Sequence, residues 1–232
     1  MRYDGERDWA RQVEQVKSLR ELALEFIRDA IVSGRFAPGQ HLKERELAEA
    51  MGISTTPVKE ALRVLEHIGL VQTVPRRGTY VSPAVNTSLR EINWMRAYLE
   101  SLAARWAAEK ATGDQLAQME AQLREMERLT HHPDRERLAA ANTRFHELVR
   151  EAAGNAVLAS TLSQVAAVDR AFRRRALQDD EEVSAGFEEH RKVFEAIRAR
   201  DPDLAEARMR SHILRAVHHV LTDSKEGENP SE

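Results

Sequence analysis

The chain has no cysteine. Disulfides are excluded, and so is any thiolate metal site, so a transition metal would have to be held by His, Asp, Glu or Asn. A cytoplasmic location is the expectation. There is also no run of ~18 uncharged apolar residues of the kind that spans a membrane as a helix. The opening MRYDGERDWARQ is charged where a secretory signal has an apolar core. Neither sign of charge dominates: 35 Lys and Arg face 38 Asp and Glu, for a net −3. Residues 34–82 carry seven basic against five acidic side chains, and residues 83–232 carry 22 against 26. Bulk electrostatics therefore gives no sign of a nucleic-acid partner, and that argument has to rest on local geometry. Internal repeats and long low-complexity segments are absent as well.

What is present is the balance of a globular chain, 42% hydrophobic and 31% charged, long enough for one large domain or two ordinary ones. Residues 1–17 are polar and irregular and read as an N-terminal extension. Leu19, Leu22, Ala23, Phe26, Ile27 and Ala30 recur at helical spacing. Ser18 and Glu21 form a capping-box pattern ahead of them, and Gly34 supplies the stop. Pro38-Gly39 marks a turn. A short helix covers Glu44 to Met51, closed by Gly52. A third starts at Ser54, with Pro57 in its first turn, and runs through Val58, Ala61, Leu62 and Leu65 to Ile68. The period then shortens: Leu70–Val74 and Gly78–Val81 are β-prone, and Pro75-Arg76-Arg77 joins them into a hairpin with a basic tip. A linker is expected at 83–86.

From Thr87 onward the reading is helical throughout. Helices are expected near 87–111, 114–130, 134–153, 156–178, 183–200 and 202–222, with a disordered tail at 223–232. Six helices on short turns imply an antiparallel bundle. The expected fold is therefore mainly α, with an N-terminal winged helix-turn-helix over 18–82 and a C-terminal all-α antiparallel six-helix bundle over 87–222.

In the first domain, the third helix is short enough to enter a major groove with its N-terminal residues at the base edges. Those residues are Ser54, Thr55, Thr56 and Lys59. Arg45, at the start of the second helix, is placed to grip the flanking backbone. Arg76 and Arg77 at the wing tip are suited to the minor groove or to phosphates, and Gly78 lets the wing backbone approach closely. The bland alternative is a winged fold used for protein contacts, with Ser54 an ordinary cap.

In the bundle, three histidines fall on the apolar faces of three helices. His146 lies with Leu138, Asn142, Phe145 and Val149; His190 with Val193, Phe194 and Ile197; His212 with Ala205, Met209 and Ala216. Asn142 stands four residues before His146 and shares its side of the helix. One reading is three core histidines bonded to backbone. The other is a divalent metal centre with open coordination positions, for which three imidazoles suit ions such as zinc or nickel. Arg96, on the stripe of Ile92, Leu99 and Ala103, needs an anionic partner. That partner is either a bundle carboxylate such as Glu100 or Asp169, or a bound acid. Arg173–Arg175 read as a solvated face. No inward Asp or Glu stands out as a general base beside the histidines.

The stretch GRFAPGQHLKERELAEAMGISTTPVKEALRVLEHIGLVQTVPRRGTYV resembles the GntR family of bacterial regulators over most of residues 18–82. The family's recognition helix commonly reads Ser-Arg-Thr-Pro-Val-Arg-Glu-Ala-Leu; here it is Ser54-Thr55-Thr56-Pro57-Val58-Lys59-Glu60-Ala61-Leu62. Thr55 and Lys59 replace arginines, one of them a guanine reader, which implies a different operator. Residues 87–216 resemble the FCD effector domain of the FadR subfamily through Arg96–Glu100, Phe145-His146, Gly154-Asn155, Glu189-His190 and His212. The short linker and six helices look more like the VanR branch. The resemblance implies that His146, His190 and His212 bind a divalent metal, with Asn142 where the family usually has Asp. It also makes Arg96 the anchor of a small carboxylate effector.

The function these readings support is a homodimeric repressor of double-stranded, pseudo-palindromic operator DNA, controlled by an organic acid, with no membrane role and no catalysis. The alternatives are a metal-dependent enzyme built on the three histidines, and a sensor of the metal ion itself.

Overall fold

The computed structural model describes residues 18–132, 134–162, 177 and 179–226, with side chains to 219. Two compact units divide between Ser88 and Leu89.

In the first unit, Ser18 caps α1 (Leu19–Val32) through a full capping box: its hydroxyl accepts from the Glu21 amide at 3.2 Å, and Glu21 accepts from the Ser18 amide at 2.8 Å. Of the two apolar stripes on α1, the one carrying Ala23, Ile27, Ala30 and Ile31 is buried, while Leu19 and Leu22 face solvent. This helix packs on α3 (Thr55–His67), which also touches α2 (Glu44–Met51). Leu47 from α2 and Val58, Ala61, Leu62 and Leu65 from α3 complete the small core.

The wing is a three-stranded antiparallel sheet in the order β1 (His41–Leu42), β3 (Gly78–Val81), β2 (Val71–Val74). The hairpin register runs from Val71 opposite Val81 to Val74 opposite Gly78. The added strand β1 was not expected. Two residues carry no period, and they form a strand because β3 supplies partners, Tyr80 to His41 and Thr79 to Leu42. The His41 ring stacks on Tyr80 at 4.6 Å. At the tip, the Arg77 amide donates to the Val74 carbonyl at 3.0 Å, and Arg76 is held at φ +63°. Pro75 then Arg76 is the order of a type II turn, which favours glycine at the second position.

In the second unit, α4 (Val85–Lys110) opens inside the stretch expected as a linker. Its last three turns present Ala103, Ala104, Ala107, Ala108 and Ala111, small side chains that admit close neighbours. Then come α5 (Gly113–Thr130), capped by a Thr112–Gln115 box, and α6 (Arg135–Ala153), capped by Asp134 and ended by Gly154 at φ +60°. Residues 156–162 are helical, with Asn155 accepting from the Leu158 amide. The expected helix over 156–178 lies largely outside the described residues, as do Asp169, Arg173–Arg175, the 1–17 extension and residues 227–232. The last two helices are α7 (Asp180–Arg198) and α8 (Pro202–Glu226), so 223–226, expected in the tail, are helical. Neighbouring pairs are α5 with α6, α7 with α8 and α5 with α7. Met119, Met126, Leu129, Phe145, Val149, Val193, Ile197, Met209 and Ile213 fill the core between them. Among the described residues no helix is long and apolar enough to cross a membrane.

The wing makes opposite demands on two adjacent positions. A Cβ on Gly78, at φ +111°, would sit 2.4 Å from His41 Nε2, whereas Arg76 is a side chain in glycine's territory. Gly78→Ala should lower the unfolding free energy by about 1–3 kcal/mol and Arg76→Gly should leave it unchanged or slightly higher, as read from urea midpoints. Equal midpoints for wild type and Gly78→Ala would contradict this.

Candidate DNA interface and metal centre

α3 begins with an exposed hydroxyl. Ser54 takes the N-cap backbone conformation (φ −73°, ψ 164°), but its side chain makes no capping bond, and no acidic residue occupies the first turn. A helix N-terminus with amides outward and no local carboxylate favours an anion such as phosphate. Ser54, Thr56 and Lys59 are exposed and Thr55 is half-buried. Lys59 Nζ lies 3.5 Å from Glu44 Oε2, a surface pair that the sequence did not suggest. Such a pair contributes little and yields readily to a phosphate. Arg45 is exposed near the start of α2, and Arg76 and Arg77 are exposed at the wing tip beside half-buried Gly78.

The three bundle histidines meet. His146 and His190 are completely buried and His212 is 6% exposed. Each offers a ring nitrogen, all within 4.8 Å of one another. His146 Nε2 and His190 Nε2 are 3.1 Å apart. Two nitrogens each ~2.1 Å from one ion at a right angle would be ~3 Å apart. The outer nitrogens are committed: His190 Nδ1 is 2.6 Å from the Gly186 carbonyl, and His212 Nδ1 is 2.9 Å from Glu189. Donation from Nδ1 fixes the tautomer that leaves Nε2 as a lone pair, the arrangement of metal-binding histidines. Burial holds the His212 imidazole below its ordinary pKa despite the Glu189 carboxylate. Burial alone would raise Glu189, but hydrogen bonds from His212 and Arg215 outweigh it and lower its pKa to about 2.

Asn142, one turn before His146 on α6, is 7% exposed, and its Oδ1 has no hydrogen-bond partner. It lines a cavity together with Arg96 and His212. A buried amide oxygen without a donor calls for a cation or a ligand hydroxyl. With three converging imidazoles, two of them directed by hydrogen bonds on their outer nitrogens, the residues present fit a divalent ion.

Two carboxylates stand beside the histidines. Glu100, fully buried, has Oε2 3.8 Å from His146 Nδ1, and Glu189 bonds His212 Nδ1. Both lie on the outer nitrogens and both are held by arginines. Arg150 Nε donates to Glu100 at 3.1 Å, and Arg215 Nε donates to Glu189 at 2.6 Å. Glu189 orients the His212 ring, Glu100 stands too far from His146 Nδ1 for a hydrogen bond, and both are poorly placed as bases. Arg96 lies 3.9 Å from Glu100 and 3.4 Å from Asn93 Oδ1, but Glu100's short bonds go to Arg150. The buried face of α4 here is polar, with Asn93, Arg96, Glu100 and Ser101, while Ile92 and Leu99 are only half-buried. Sequence reasoning missed Arg150, Glu189 and Arg215. Glu189 and Arg215 each adjoin a polar face and read as surface charges, and only the packing of α7 on α8 brings them together.

The family model "Bacterial regulatory proteins, gntR family" matches residues 19–81, and the FCD domain model matches 91–215. The chain is 32% identical to the galactonate operon transcriptional repressor of Escherichia coli, over 76% of this chain and 85% of that one. It is also 32% identical to a probable D-xylose utilization operon transcriptional repressor of Paenarthrobacter nicotinovorans, covering 82% and 83%. E. coli McbR/YncC shares the fold, with a TM-score of 0.69 at 21% identity over 90% of this chain and all of that one. Winged helix-turn-helix, helical domain and relatives agree: the chain belongs to the GntR family of bacterial regulatory proteins, carries an FCD domain, and is a DNA-binding transcriptional regulator rather than an enzyme.

Proposed function

We propose that this regulator is a cytoplasmic, homodimeric repressor whose affinity for a pseudo-palindromic operator is set by a small carboxylate bound beside a divalent ion in the helical domain. The convergence of His146, His190 and His212 with Asn142 and Arg96 carries this reading. The relatives named as repressors of the galactonate and D-xylose operons favour repression as the direction of control. Residues 18–82 act as the DNA-binding domain and 87–222 as the effector domain.

On the operator, the α3 N-terminus enters the major groove. Ser54 and Thr56 hydroxyls meet phosphate or base edges, Thr55 faces a base, and Lys59 leaves Glu44 for a phosphate. Arg45 grips the flanking backbone, and Arg76, Arg77 and Gly78 bring the wing to the adjacent groove. Two heads read paired half-sites, which requires the dimer.

In the helical domain, His146, His190 and His212 present Nε2, and Asn142 presents its amide oxygen. An ion such as zinc or nickel supplies charge and open positions for a carboxylate. Arg96 adds a guanidinium that pairs with the acid, and Glu189 and Gly186 keep the rings turned inward. A carboxylate that binds one arrangement of the protein more tightly shifts its operator affinity by that difference.

Three measurements test these roles. Operator binding in the presence of a panel of small acids should change with at least one of them; identical binding across the panel, with and without chelator, would remove the sensing role. A change with chelator alone would make the ion itself the signal. His190→Ala should lose zinc stoichiometry, while Asn142→Asp should tighten zinc by about tenfold or more in chelator competition; an unchanged zinc affinity would take Asn142 out of the site. Lys59→Ala should weaken operator binding and lower the salt slope by about one, and Thr55→Arg should shift selected half-sites toward G at one position. Selected sites identical to wild type would remove Thr55 from base contact.

A further inference from the structure

We propose that the effector is a polyhydroxylated monocarboxylate, an aldonate-type acid, and that Glu182 and Arg215 select it by its hydroxyls. The proposal rests on the carboxylate reading above and goes beyond it to the rest of the ligand.

The cavity beside His212 has, besides Arg96 and Asn142, a second polar wall made by Glu182 of α7 and Arg215 of α8. Arg215 Nη1 bonds Glu182 Oε1 at 2.5 Å, and His219 Nδ1 lies 3.8 Å from the same oxygen. Both contacts use Oε1, so Oε2 of a side chain only 13% exposed is open to a donor. Arg215 is simultaneously committed to Glu189 through Nε and Nη2. At neutral pH a carboxylate only accepts hydrogen bonds and a guanidinium only donates them.

These groups discriminate among acids. An alkyl chain would strip water from the Glu182–Arg215 pair and return no hydrogen bond, a cost that selects against fatty acids. A second carboxylate would meet Glu182 at close range and be repelled, which selects against dicarboxylates. A hydroxyl donates to Glu182 Oε2 and accepts from Arg215. Ile213, Ala216 and Val217 give an apolar surface for the C–H faces of such a chain.

The test titrates the full-length protein, with and without zinc, against matched acids by calorimetry: threonate and gluconate, butanoate and hexanoate, succinate and adipate. An aldonate should bind at least about tenfold tighter than the alkanoate and the dicarboxylate of equal length, the margin expected for hydroxyls bonded to a charged group. Glu182→Gln, which keeps the shape and removes the charge, should narrow that ratio to within about threefold. Alkanoate or dicarboxylate binding equal to or tighter than aldonate overturns the proposal and leaves the carboxylate reading standing, as does a ratio unchanged in a folded Glu182→Gln. The wild-type series decides alone if that variant fails to fold. Binding of none of the six by a protein that still binds its operator removes the carboxylate reading and this proposal together.

Discussion

Three imidazoles packed into an apolar helical core impose the constraint that organises the second half of this molecule. A buried imidazole stays neutral, and a neutral ring must find one acceptor for its N–H and one donor for its lone pair. For His190 and His212 the N–H side is satisfied outward, by the Gly186 carbonyl and by Glu189. The lone pairs then turn toward one another, with His146 and His190 nitrogens 3.1 Å apart. Ring nitrogens gathered in one place favour a positive partner, and a divalent ion is one their chemistry accepts. Around them stand carboxylate–arginine pairs, Glu100 with Arg150 and Glu189 with Arg215. Glu189 is kept ionised by its hydrogen bonds and so stays a fixed acceptor on the outside of the His212 ring.

The same arrangement separates a sensor from a catalyst. General-base chemistry needs a carboxylate or imidazole with an open lone pair facing the substrate. Here Glu100 and Glu189, the carboxylates beside the rings, are both bonded to arginines, and Glu182 on the cavity is paired with Arg215. The cavity is lined by polar side chains, Arg96, Asn142, Glu182 and Arg215, each suited to binding, consistent with the effector domain of a family of regulators. At the other end of the chain, Arg76 holds a left-handed conformation at the wing tip, a local strain that the surrounding hairpin sustains.

Much of the DNA-binding unit was legible residue by residue. Ser18 with Glu21, Gly52, Ser54, Pro57 and Gly69 are local signals, set by backbone sterics and by neighbours a few positions away, and α1 to α3 follow them within a residue or two. Strand β1 was not legible, since two residues pair only because a distant strand is waiting. In the helical unit, the inward faces of His146, His190 and His212 were readable from period alone, because burial of one helix face is a property of spacing. The network behind them was not: Arg150 to Glu100 spans fifty residues, and Arg215 to Glu189 and Glu182 joins two helices.

The amino-acid sequence by itself determined the elements, their order, the two kinds of domain and which histidines face inward, since these follow from periodicity, caps and turn residues acting over a few positions. Tertiary structure alone decided that the three rings converge, which nitrogen each presents, that Glu100 belongs chiefly to Arg150, and that Glu182 and Arg215 wall a cavity with Arg96. Those are relations between side chains far apart in the chain, and only packing of the helices brings their charges and lone pairs within bonding distance.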